Sequence, residues 1–174
     1  MPPQLTTQVS APPAQPALAD EQLHRALDAL DAAAPDRQLE VLVVLCQAAG
    51  FAGLAVVRAD GDGRLRLTGG VQLDADSEAR GRGWSPGQGL PGRVFVTGQP
   101  AVLDGERAAE ELAAAPRLFA SAPGDDRLLA VPIRQRGQVT GSLVALRRGV
   151  APGTLAVDDL RMLAQVAPTL ARAV

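Results

Sequence analysis

The feature that most constrains the fold is a pair of apolar segments near the C-terminal end of the chain. The stretch LLAVPIRQRGQVTGSLVALRR, residues 128–148, is rich in Leu, Val and Ala and is interrupted at Arg136–Gly137. Aliphatic and β-branched residues on both sides of a glycine-containing turn predict two strands joined as a hairpin. This hairpin is the strongest β signal in the sequence, and we expect it to form part of a sheet.

Weaker signals place the other elements around this hairpin. A helix restarts at Asp36, is apolar nearly all round and stops at Gly50, which predicts a buried helix. Strands are expected over 53–60, 64–73 and 101–104, a short helix between Gly89 and Gly98, and a final helix from about Ala156. Gly89 is the expected N-cap of the short helix, Pro91 lies in its first turn, and Gly98 suits a left-handed C-terminal residue. The order predicts an α+β fold, a central antiparallel sheet with helices on one face.

The chain divides into three regions. Residues 1–18 contain five prolines and no charged side chain, so we expect a disordered leader. Residues 19–35 form a predicted N-terminal helix that ends at Pro35, and residues 36–174 form the globular domain with its C-terminal helix.

Composition excludes several classes of function. The 174-residue chain has a formal net charge of −2, which argues against nucleic-acid binding because phosphate binding needs a concentrated basic face. Its single cysteine cannot form an internal disulfide, a pattern that fits a reducing cytoplasm. No segment predicts membrane insertion or a secretory signal. We expect no metal and no cofactor, because the only soft ligands are Cys46, on the apolar helix, and His24, a predicted surface residue.

Two glycine-rich motifs are misleading. Gly87–Gly92 matches G-x-G-x-x-G, but no buried strand precedes it, and the helix that follows is too short for a dinucleotide site. Asp60–Gly63 resembles part of a calcium loop, but the third ligand is missing and Arg64 stands where a ligand is needed. A hairpin turn is the better interpretation of this segment.

Taken together, the motifs resemble the GAF domain, a small-molecule-sensing module of signalling proteins. They are G-x-G-L-x-G at Gly87–Gly92, V-x-x-T-G-x-P at Val94–Pro100, the paired strands of 128–148, and LAVDDLRMLAQVA at Leu155–Ala167. Their order and spacing cover roughly residues 37–174. The resemblance implies a five- or six-stranded antiparallel sheet, helices on its back face and a ligand pocket on its front.

Known branches of this family fit poorly. The free methionine sulfoxide reductases carry a redox Cys where this chain has Pro91, and thiol-dependent recycling needs thiols near the pocket. The cyclic-nucleotide motif contains Asn and Lys, and this chain has neither. Bilin attachment or haem ligation would need a well-placed Cys or His, and Cys46 and His24 are badly placed. The protein is therefore predicted to be a non-enzyme.

Once these branches are set aside, the resemblance implies an apolar pocket. The predicted lining is aromatic and aliphatic, suited to a flat or apolar ligand: Trp84, Leu90, Val94, Phe95, Leu118, Phe119 and Val144. Residue types support filled core and open pocket equally. Arg58, Arg134 and Arg147 could clamp an anion if they point inward, although solvated strand ends are the better interpretation.

Two leucine seams suggest a homodimer. Leu23, Leu27 and Leu30 form one narrow stripe, and Leu160, Leu163, Ala167 and Leu170 form another near the C-terminal end. We predict a sensory or regulatory module that binds a small molecule and relays the signal through this dimer seam. The alternative is a ligand-free dimerisation or partner-docking module with a filled pocket, and a reductase comes third.

Overall fold

The computed structural model describes residues 21–22, 24–25, 28–29, 38–74, 82–120, 124–151 and 153–171. The predicted leader at 1–18 lies outside these residues. The described positions within 21–29 are helical and exposed. The predicted seam residues Leu23, Leu27 and Leu30 lie outside the described residues.

Nine elements follow from residue 38 onward, within the part of the chain that the structure describes. In chain order they are α1 (Gln38–Ala49), β1 (Gly53–Ala59), β2 (Leu65–Val71), α2 (Gly89–Thr97), β3 (Ala101–Asp104), α3 (Gly105–Ala113), β4 (Arg127–Gln135), β5 (Gln138–Arg147) and α4 (Val157–Ala171). The predicted hairpin is β4–β5, with Arg136 and Gly137 both at positive φ in its turn. The segment from Asp60 to Gly63 is also a turn, closed by the Asp60 amide donating to the Arg64 carbonyl at 2.8 Å.

The five strands form one sheet in the order β2-β1-β5-β4-β3, with every neighbouring pair antiparallel. The β4–β5 register pairs Ala130 with Val144 and Leu128 with Leu146. Because side chains alternate along a strand, this register sends two sets of apolar residues to opposite faces. The α+β class predicted from the sequence is therefore confirmed.

The back face carries the two longer helices. Leu42 and Cys46 of α1, and Leu163 and Leu170 of α4, are buried against alternate residues of β1, β4 and β5. The front face carries the shorter helices α2 and α3 together with Trp84 and Phe119. Helices thus lie on both faces of the sheet, and not on one face as predicted. This arrangement explains why β4 and β5 are nearly continuous apolar runs, because side chains on either face meet a helix.

Burial corrects the prediction for the C-terminal seam. Leu163, Ala167 and Leu170 are between 97 and 100% buried within a single chain, and Leu160 is half-buried. A 4-3 spacing of apolar residues describes any helix with one apolar stripe, and here that stripe covers the back of the chain's own sheet. These three residues are core and cannot also face a partner.

None of the helices in the described part of the chain is both long and apolar enough to cross a membrane.

Candidate functional site

The G-x-G-L-x-G segment builds the N-terminus of α2 on the front face. The helix begins at Gly89 itself, with Gln88 in the capping position, one residue earlier than the N-cap predicted at Gly89. Gly92 packs against the preceding loop, where an added Cβ would lie 2.6 Å from the Ser85 carbonyl oxygen. The helix ends as predicted at Gly98, in the left-handed conformation. Local backbone geometry and packing therefore explain the glycines of this motif.

A small cavity lies between this helix, α3 and the front of the sheet. Its volume is about 20 Å³, which is room for about one water molecule. The cavity is lined by Trp84, Leu90, Pro91, Glu111, Leu112, Pro116, Leu118, Phe119, Leu128 and Val144. In this state the front face is packed, with space for a single water-sized group.

Five of the seven predicted pocket residues meet at this cavity: Trp84, Leu90, Leu118, Phe119 and Val144. The other two do not line it. Val94 is fully buried in the same front core, and Phe95 is half-buried beside that core. Both sit on α2 one turn after Leu90 and Pro91, on the same side of the helix, and the cavity is lined only by the first turn.

Phe119 fills part of the front face directly over the sheet. It is 99% buried, and its ring lies over Gly53, where an added Cβ would be 2.7 Å from the ring. The preceding carbonyl, that of Leu118, accepts a hydrogen bond from the Asp74 amide at 2.9 Å. A bare glycine in β1 thus lets the segment after α3 pack directly on the sheet.

Glu111 is the one charged side chain among the described residues that line the cavity. Its Oε1 accepts a hydrogen bond from the Leu90 amide at 2.5 Å, and Arg93 Nη2 lies 3.4 Å from its Oε2. A carboxylate at a helix N-terminus meets unpaired amides and the positive end of the helix dipole. The residue is missed by sequence reasoning because Glu106, Glu110 and Glu111 look alike along α3, and only the approach of α2 distinguishes them.

The chain's single thiol is far from this chemistry. Cys46 is 98% buried on the back face, as predicted, and its Sγ donates to the Phe51 carbonyl at 3.1 Å. Burial raises the pKa of this thiol, an effect that the positive charge of Arg147 partly offsets. A thiol with a raised pKa inside the back core is a poor nucleophile.

The three candidate clamp arginines bind backbone and acids of their own chain. Arg58 Nη2 donates to the Leu170 carbonyl, and burial lowers the pKa of this guanidinium. Arg134 donates to the Gly98 carbonyl at 2.7 Å. Arg147 makes a two-pronged bond to Asp159, with both distances 2.8 Å. These arginines tie helices to the sheet, and the described contacts converge on no common anion position.

A family model described as the GAF domain matches residues 35–174. The chain therefore belongs to the GAF domain family, in agreement with its fold. No curated protein sequence matches this chain.

Solved structures show the same fold. The GAF domain of a phosphoenolpyruvate-protein phosphotransferase from Coxiella burnetii is 20% identical, with a TM-score of 0.68 over 92% of this chain and 94% of that one. The A. aeolicus nlh2 GAF domain in an inactive state is 18% identical, with a TM-score of 0.69 over 91% and 96%. The free methionine-R-sulfoxide reductase from Neisseria meningitidis, in complex with its substrate, is 17% identical, with a TM-score of 0.70 over 94% and 92%.

Proposed function

We propose that this GAF domain is a non-enzymatic sensory or regulatory module whose front-face cavity opens to admit a small flat or apolar molecule. The observation that carries the proposal is the cavity itself, with aromatic and aliphatic walls and one carboxylate. Ligand sites in proteins combine an apolar lining with few polar groups in this way. Because the cavity has room for about one water, binding a larger molecule requires movement of the elements that line it.

A thiol-dependent reductase is disfavoured by the position of the single cysteine. Disulfide exchange needs a thiolate within reach of the substrate and a second thiol to resolve the intermediate. Cys46 is buried on the opposite face of the sheet, and the chain has no other cysteine. The absence of a second thiol, together with burial of the first, supports the non-enzymatic proposal and a reducing, cytoplasmic setting.

A second candidate is a ligand-free module that docks a partner or forms a homodimer. Two observations favour it: the front core is nearly filled, and Leu155 and Val157 are exposed at the start of α4, by 80% and 55%. A homodimer would then rest on the N-terminal helix, through Leu23, Leu27 and Leu30, because Leu163 and its neighbours on α4 are core.

Native mass spectrometry of freshly purified protein separates the two candidates. A retained small molecule, lost on denaturation, is expected if the cavity is a ligand site. The same spectrum reports monomer or dimer. Protein that binds nothing, including after screening against flat apolar compounds by thermal shift, contradicts the ligand proposal. A dimer that survives Leu27→Glu contradicts the proposed dimer contact, and Gln22→Glu, at an exposed described position, is the control.

A further inference from the structure

Glu111 lies where the small front-face cavity meets a much larger groove. It lines the cavity of about 20 Å³, and it also lines a groove of about 400 Å³ that runs between α2 and α3. The groove is further lined by Gly89, Arg93, Leu103, Arg107 and Glu110. Glu111 is the one residue among the described ones lining the cavity that also lines the groove, so it lies at the boundary of the two spaces.

The contacts of Glu111 hold α3 against α2. Its carboxylate accepts from the Leu90 amide and faces Arg93, and its side chain is 20% exposed. An ionised acceptor makes the amide hydrogen bond about twice as strong as a neutral one. Glu111 can come this close to α2 because residue 89 is a glycine. An added Cβ there would lie 2.9 Å from Glu111 Oε1 and 3.2 Å from Trp84 Cδ1.

The residues that close the cavity follow Glu111 along the chain. Leu112, Pro116, Leu118 and Phe119 all line it and belong to α3 or to the short segment after that helix. The opposite wall, which includes Val144, is fixed in the sheet. A displacement of α3 at Glu111 would therefore carry one wall of the cavity away from the other.

We propose that Glu111 is a latch: its contact with the N-terminus of α2 keeps the cavity closed, and release of that contact joins the cavity to the groove. The inference rests on the proposed function, because it is the regulation of that same ligand cavity. A ligand that binds only the open form must shift the latch equilibrium, so its apparent affinity is reduced by the fraction of protein that is open.

The fluorescence of Trp84 reports directly on whether the latch is open. Trp84 is the chain's single tryptophan, the chain has no tyrosine, and its indole lines the cavity beside Gly89. The experiment is acrylamide quenching of Trp84 fluorescence in the full chain, with binding of Nile red, an uncharged apolar dye, as the second readout. Glu111→Ala removes one charge-assisted hydrogen bond, which should raise the open population about tenfold. We expect a severalfold larger quenching constant and tighter dye binding.

Controls separate the latch from a general effect of charge. Glu110→Ala removes the neighbouring acid of α3, which lines the groove but not the cavity, and should quench like wild type. Arg93→Ala should give a smaller increase than Glu111→Ala, because its nitrogen lies 3.4 Å from the carboxylate. A folded Glu111→Ala protein with wild-type quenching overturns the latch.

A variant that fails to fold is also informative. If Glu111→Ala does not fold, Glu111→Gln decides the matter, since it keeps an acceptor oxygen but loses the charge. Quenching above wild type in Glu111→Gln supports the latch, and wild-type quenching makes the contact a structural cap and overturns it. Failure of the proposed function looks different: Trp84 becomes accessible in Glu111→Ala, yet neither protein binds Nile red or retains a small molecule.

Discussion

The two faces of this sheet are built from alternate residues of the same strands, yet they are closed in different ways. The back face is covered by α1 and α4, helices of 12 and 15 residues whose apolar stripes pack on the strands. The front face is covered by two helices of nine residues each and by the segment that carries Leu118 and Phe119. The front face also contains a small cavity, and the Glu111 carboxylate is part of its lining.

This difference locates the part of the molecule that can move. Long apolar stripes give the back face a continuous core, in which opening would expose many side chains at once. The short front elements are held partly by polar contacts such as that between Glu111 and Leu90. A polar contact can be replaced by water at modest loss of free energy, so the front face is where we expect local opening.

The largest expected effect comes from placing a charge on the back face. Leu163→Glu would bury a carboxylate without a partner, a change of several kcal/mol in a domain whose total stability is about 5–15 kcal/mol. We expect no cooperative unfolding transition by circular dichroism. Ala164→Glu, at the neighbouring exposed position, should unfold like wild type. A Leu163→Glu protein that is folded and monomeric, beside a dimeric wild type, would instead place Leu163 at a subunit interface.

A truncation on the front face tests whether that face is core. Phe119→Ala should destabilise the protein by about 3–5 kcal/mol, the range for a buried aromatic. Phe95→Ala removes the same atoms at a half-buried position and should lose about 1–2 kcal/mol. Urea unfolding measures both. Equal, small losses together with altered ligand binding would show that Phe119 borders open space and not a packed core.

The fold was predictable because its strongest signals are local. The β4–β5 hairpin, the stop of α1 at Gly50 and the left-handed end of α2 at Gly98 each depend on nearby residues. The side of the sheet on which a helix packs depends on distant ones. Leu163 and Leu170 repeat with the spacing of a dimer seam and of a core stripe alike, so periodicity could not distinguish the two.

The site was predictable only in its apolar part. Trp84, Leu118 and Phe119 stand out as rare aromatics or their neighbours in a chain with 2% aromatic residues. Leu128 could have been found from strand alternation, since it shares a face with Ala130 and with Val144 across the hairpin. Glu111 gives no such signal, because its role depends on where α2 begins in space.

An ion pair on the back face should have a smaller effect than either core substitution. Arg147 joins Asp159 at the start of α4 to the Ala49 carbonyl at the end of α1, and its guanidinium lies 4.5 Å from the Phe51 ring. We expect Asp159→Asn to lose about 1 kcal/mol, because the pair is two-pronged and mostly buried. Asp158→Asn is the matched control. Equal losses, measured by thermal unfolding, would assign the effect to the helix dipole that both acids share.

Thiol labelling compares the opening of the two faces directly, and it involves the smallest change in stability. Burial raises the pKa of Cys46, so little thiolate exists at neutral pH and labelling by an aromatic disulfide reagent should be slow. The raised pKa also sets the sign of a pH effect. The stability contribution of the neutral thiol is complete at neutral pH and is lost as the pH rises through the raised value.

A front-face thiol provides the counterpart to Cys46. In a Cys46→Ala background, Val144→Cys places a thiol at the cavity wall, where side-chain burial matches that of Cys46 to within a few per cent. If the front face opens locally, this thiol should be labelled about tenfold faster than Cys46 at the same pH, and faster still when Glu111→Ala is added. Equal rates for the two thiols would mean that both faces open only on global unfolding, and the contrast between them would then be one of packing alone.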